Sequence, residues 1–191
     1  MTTPERERYQ ELLFQFATSY YAAGRWSAAA RLSTISGNLF HHAIEYYLKG
    51  ALAPSTSAEQ MKKAGHNLKR VWRSVKAVGI NLPAHDRTIA DVHRFERIRY
   101  PEKIVRAGLT MSTSLGPGGP HLAQQPSTIP HYRLSVSEID DLVIAILDAA
   151  NVHPFWTSVT LGEQGGLWLR DGNAHAKRWT SDGIPSVNLP A

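Results

Sequence analysis

Asn38, His42, Glu45 and Lys49 recur at helical spacing, so a helix through them carries a polar stripe beside an otherwise apolar one. Glu45 precedes Lys49 by four positions, the favourable order for an ion pair within a helix. If that stripe is buried, each of its groups needs a partner. Two readings stay open: a network that pins helices together, or a cluster that faces a ligand. His85, Asp86 and His93 have the residue types of a metal site, but helix capping and surface roles account for them more simply. His41 and His42 are adjacent on a helix and point in different directions, so they do not chelate together. No metal site and no cofactor is expected. Cysteine is absent, which excludes disulfides, thiolate zinc sites and cysteine nucleophiles.

Five helical patterns must position these groups. The first spans about 4–23, where Pro4 suits a first turn and Tyr9, Leu12, Leu13, Phe16 and Tyr20 form the apolar stripe. Gly24 is read as its end. A second helix covers about 26–52 and holds the polar stripe, with a kink expected near Ser36-Gly37. Ser57 and Gln60 have capping-box spacing for a short helical turn. The third main helix covers about 67–78. Asp86 is the expected cap of the fourth, which carries Ile89, Val92, Phe95 and Ile98 and ends at Pro101. Residues 102–131, rich in Gly, Pro and Gln, read as one long loop. Ser135, with Glu138 in the capping-box position, opens the last main helix, which ends near Asn151. The expected fold is all-α: an antiparallel bundle of about five helices with a long loop before the last main helix. The helical domain spans 4–151. Residues 152–191 read as a C-terminal extension of uncertain structure, with one further short helix and a tail.

Charge is unevenly spread over the 191 residues. Residues 1–59 hold five basic and five acidic side chains, 60–106 hold twelve and four, and 107–191 hold four and seven. The middle segment is therefore the electropositive part, suited to phosphate-bearing ligands or to a solvated helix face. The N-terminal residues are charged and lack an apolar signal core, and no run approaches the roughly 18 apolar residues of a membrane span. A cytoplasmic protein with no membrane partner is the expectation.

Three landmarks stand in order on these patterns: Phe40-His41-His42-Ala43-Ile44-Glu45-Tyr46-Tyr47-Leu48-Lys49, Gly65-His66-Asn67-Leu68, and Arg99-Tyr100-Pro101. Together they resemble the HEPN domains, helical modules whose second helix carries F-x-x-Q-x-A-E-K-x-L-K-A or close variants. Here Phe40, His42, Ala43, Glu45, Leu48, Lys49 and Ala51 fall in that register, with His42 where glutamine is common. The likeness covers about residues 9–151 and is strongest to the nucleotidyltransferase-associated branch with the R-Y-P ending. It implies that His66 and Arg99 approach Glu45, giving a ligand-binding face of His42, Glu45, Lys49, His66 and Arg99. It also implies a nucleotide or RNA ligand, a nucleotidyltransferase-like protein partner and a homodimer.

Many HEPN proteins are metal-independent, toxin-like endoribonucleases that use an arginine and, four to six residues on, a histidine. The histidine works on the ribose 2′-hydroxyl and the arginine on the phosphorane. Arg87 with His93 and Arg170 with His175 have that spacing, but this composition yields about two such pairs by chance. Arg87 and His93, at the start of the fourth helix, are the candidate catalytic residues of the ribonuclease alternative. A non-catalytic module binding a nucleotide, RNA or partner protein is the preferred reading. A purely structural dimerisation scaffold is the third.

Overall fold

The computed structural model describes residues 2–116 and 128–183. Two long helices, α1 (Thr3–Ala29) and α2 (Ser33–Leu52), form the central pair. Gln10 Nε2 donates to the Gly50 carbonyl at 3.1 Å, Phe14 meets Tyr47, and Tyr21 meets Phe40. Rising numbers on one helix meet falling numbers on the other, so the two run antiparallel.

Gly24 is not a terminus. It sits inside α1 against the Phe40 ring, where a Cβ would lie 3.0 Å from ring carbons. The chain reverses instead at Arg31, which takes φ of 60°, and α2 opens at Ser33. Gly37 serves a similar purpose inside α2: a Cβ there would come within 1.8 Å of the buried Phe95 ring. These glycines permit close approach rather than breaking the helix.

The buried stripe of α1 is also turned from the expected one. Leu13, Phe14, Ala17, Tyr21, Gly24 and Arg25 face inward, whereas Leu12 and Phe16 are exposed. A core-facing arginine and threonine (Arg25 and Thr18) obscure this register in the sequence.

Next come α3 (Ala58–Ala64) and α4 (Leu68–Ala77). Ser57 and Gln60 make the expected capping box, and Asn67 Oδ1 caps α4 by accepting from Arg70 N at 3.0 Å. Helix α5 (Asp86–Arg94) tightens into a 3-10 turn over Phe95–Arg99. Asp86 does not cap α5; it accepts from Trp72 Nε1 at 2.7 Å and Lys76 Nζ at 2.6 Å. Pro101 does not close a helix but opens another, α6 (Pro101–Ala107), where its missing N–H costs nothing.

The stretch 102–131 is thus not one loop. Besides α6 it contains β1 (Thr110–Ser114), which pairs in parallel with β2 (His131–Ser135), Thr110 opposite His131. The alternation of Tyr132 and Leu134 toward the core drives β2. The Gly/Pro-rich part, 117–127, lies outside the described residues. Helix α7 (Val136–Ala149) follows at once; Glu138 pairs with Arg133 rather than completing a box with Ser135.

The C-terminal segment has more structure than expected. It forms α8 (Pro154–Ser158), α9 (Glu163–Arg170) and 3-10 turns at Ala176–Trp179 and Ser181–Gly183; the tail 184–191 lies outside the described residues. A buried ion pair holds this segment to the core. The Arg25 guanidinium bonds Asp140 of α7 and the Asp171 carbonyl, and its Nε donates to the Trp168 carbonyl at 2.8 Å. Tyr21 donates to the other Asp140 oxygen at 2.6 Å and accepts from Asn173 at 3.1 Å. The protein is thus mostly helical with one two-stranded sheet, and among the described residues no helix is long and apolar enough to cross a membrane.

Removing one member of a buried pair strands the other. Asp140→Ala is therefore expected to cost about 3–5 kcal/mol in urea unfolding, with Arg25→Met/Asp140→Leu recovering most of it. A single-variant loss below about 1 kcal/mol, the range of surface pairs, would contradict the pair's burial.

Candidate functional site

Glu45 is the hub. Its side chain is 2 % exposed, and it points from the middle of α2 toward the junction of α3 and α4. Lys49, one turn on, reaches Oε1 with Nζ at 2.6 Å, its stem largely covered. His66 arrives from the junction and places Nδ1 at 3.0 and 3.1 Å from the two carboxylate oxygens. A carboxylate offers no proton, so Nδ1–H donates and fixes the ring's tautomer in its neutral form. Nε2 stands at the far edge of the ring, on a side chain that is 63 % exposed.

Local backbone chemistry explains why His66 stands there. Gly65 ends α3 with φ of 63°, a conformation that favours glycine, and Asn67 caps α4 directly after it. Between them the His66 carbonyl lies 3.1 Å from Nε2 of buried His41, one residue from the expected stripe on α2. The other His41 nitrogen lies 3.4 Å from the Val92 carbonyl on α5. A neutral imidazole has one N–H, and the shorter contact assigns it to Nε2.

Of the five expected ligand residues, the structure joins Glu45, Lys49 and His66. His42 shares α2 with Glu45 and Lys49 but turns its ring to Tyr20, with centroids 5.4 Å apart. Arg99 ends the 3-10 turn, and its side chain lies outside what the structure describes. Glu45 is sealed as a structural network requires, while His66 is open as a ligand site requires.

Arg87 and His93 both lie on α5, six positions and so about 120° around the axis apart. Arg87 is exposed, with Nε 3.9 Å from Asp91; His93 is half-buried, 3.6 Å from Glu96 and with its ring 6.3 Å from that of His41. Among the described residues they share no hydrogen-bond or ion-pair partner. Burial holds His93 below its ordinary pKa. Arg170 and His175 likewise separate: Arg170 is exposed on α9, and His175 Nε2 lies 2.7 Å from Asp141. Among the described residues no group of three His, Asp or Glu side chains is placed to hold a metal ion.

Sequence reasoning missed His41 as the residue that holds His66, and missed Arg25, Tyr21, Asp140 and Asn173 altogether. The available signal was a charge at a core position on each of two helices, Arg25 in α1 and Asp140 beside Ile139 in α7.

No family model matches this chain, and no curated protein or solved structure matches it either.

Burial pushes the His41 imidazole below its ordinary value of 6.5, against the upward pull of the two carbonyls and of Glu45 and Glu96. The folded protein keeps this ring neutral while the unfolded chain protonates it. Its contribution to stability is complete above about pH 6.5 and drains away as pH falls toward the depressed folded value. Unfolding free energy is expected to drop more between about pH 7.5 and about pH 5.5 in the wild type than in His41→Gln. Equal slopes would contradict a buried, neutral His41.

Proposed function

We propose that this protein is a HEPN-like, non-catalytic helical module that binds RNA or a nucleotide at His66, with Glu45 and Lys49 behind it. The observation that carries the reading is the contrast within one hydrogen-bonded cluster. The carboxylate is removed from water, while the imidazole it holds is open to solvent. A cluster that served packing alone has no need of an exposed, tautomer-fixed ring at its edge. Lys62, Lys69, Arg70 and Arg73 are exposed on the helices either side of His66, and among the described residues none is ion-paired to a carboxylate. They supply the positive field that attracts phosphates.

The R-Y-P landmark and the helix-2 register support the HEPN assignment, and with it an antiparallel bundle, a homodimer, a nucleotidyltransferase-like partner and a cytoplasmic setting. Exposed Leu12, Trp26 and Ile35 on the central helix pair favour association with another surface. The separation of Arg87 from His93 weighs against the ribonuclease alternative within one chain.

The test is binding of a short fluorescent oligoribonucleotide, read by anisotropy in EDTA at two salt concentrations. Affinity is expected to fall with salt, and His66→Ala to weaken it about tenfold, with the RNA left intact. RNA cleaved by the wild type and spared by His93→Ala would replace this reading with the ribonuclease. Binding unaffected by His66→Ala would remove the site.

A further inference from the structure

Along the outer seam of α1 and α2 runs a row of rings at the edge of the core, with Tyr20 and Tyr46 packed against it on their inner sides. Phe16, 53 % exposed, leans on Tyr46 at 6.2 Å; Tyr46 stacks on Tyr20 at 5.7 Å with planes 16° apart; Tyr20 meets His42 at 5.4 Å. The inner side of the same helix pair is already filled by Phe14, Tyr21, Phe40 and Tyr47, all buried. Tyr20, Tyr46 and His42 are half-buried, so each presents part of its surface to solvent.

The row is continuous with the polar cluster. On α2, His42, Tyr46 and Lys49 follow at intervals of four and three, which places them on one face, and Glu45 stands beside Tyr46. The Glu45 charge indeed contributes to raising the Tyr46 pKa, after burial and Tyr20. One ledge therefore begins with aromatic rings and ends at Lys49 and His66, with the unpaired cations of α3 and α4 beyond.

We infer that this ledge is a stacking platform for the bases of single-stranded RNA, whose phosphates lie toward Lys49, His66 and those cations. The inference rests on the RNA-binding reading above and extends it from one phosphate site to a strand. Successive ring centroids at 5.4 to 6.2 Å suit neighbouring bases of an opened strand rather than one mononucleotide. Aromatic faces accept any base, and cations alongside them track the backbone. The exposed edge of the His66 ring can hydrogen-bond a ribose 2′-hydroxyl, which both donates and accepts. The surplus of positive charge beside the ledge favours a polyanion over a second copy of this basic chain.

The test compares two labelled probes by anisotropy, an oligoadenylate and an abasic ribose-phosphate oligomer of equal length. Wild type is expected to prefer the oligoadenylate by at least about tenfold. Tyr20→Leu/Tyr46→Leu, which keeps the seam apolar, should erase that preference while leaving abasic binding unchanged. Tyr46→Trp, which enlarges the ring face, should retain or raise oligoadenylate affinity and decides the matter if the leucine variant fails to fold. Equal wild-type affinity for the two probes, still weakened by His66→Ala, would overturn the platform and leave the phosphate site standing. Binding of neither probe would overturn both. A leucine variant that turns a dimer into a monomer in sedimentation, with RNA affinity unchanged, would show that a second copy covers the ledge and would overturn the inference.

Discussion

The contact between Arg25 and Asp140 decides how this chain closes on itself. Burying two charges carries a desolvation cost that mutual attraction alone seldom repays. Here the remaining hydrogen-bonding capacity is taken up as well, by the carbonyls of Trp168 and Asp171 and by the Tyr21 hydroxyl. The arrangement of α1, α7, α9 and the turn after it satisfies all of these groups at once. The pair thus acts on uniqueness more than on net stability: a shifted α9 would leave a guanidinium without its carbonyls. Because α1 is fixed in this way, its partner α2 is fixed too, and α2 carries the site.

The same logic recurs on a smaller scale at Glu45. A carboxylate in the middle of a packed helix needs donors, and α2 itself supplies only Lys49. The second donor comes from outside the helix, which ties the α3–α4 junction to α2 through His66. His41 reinforces the tie from below by holding the His66 backbone. A requirement of packing has thereby set the position and exposure of one imidazole. In the function proposed above, this by-product of burial is the binding group.

What the sequence made legible was local. The Ser57–Gln60 box, the Glu45–Lys49 pair and the apolar faces of α4 and α7 all depend on residues within one or two turns of each other. The approach of His66 to Glu45 came from the family likeness rather than from spacing. What stayed hidden was long-range. Arg25 and Asp140 are 115 positions apart, and an arginine among apolar residues reads as the edge of a stripe until its partner is known. That misreading turned the inner face of α1 by about one residue and concealed that Phe16 points outward. Gly24 reads as a break and Gly37 as a kink because the rings they admit, Phe40 and Phe95, come from elsewhere in the chain. The parallel pairing of Thr110–Ser114 with His131–Ser135 spans a Gly/Pro-rich stretch that masks both strands.

The proposed site stands or falls with Glu45 holding His66 through Nδ1–H and leaving Nε2 open to a ligand. Nitrogen-15 spectroscopy of the histidine rings, recorded near neutral pH before and after adding a short RNA, addresses it directly. The expected result is a protonated Nδ1 at His66 in the free protein and a shift of its Nε2 signal on RNA addition. An Nε2–H tautomer, or a His66 ring indifferent to RNA that demonstrably binds, would contradict it.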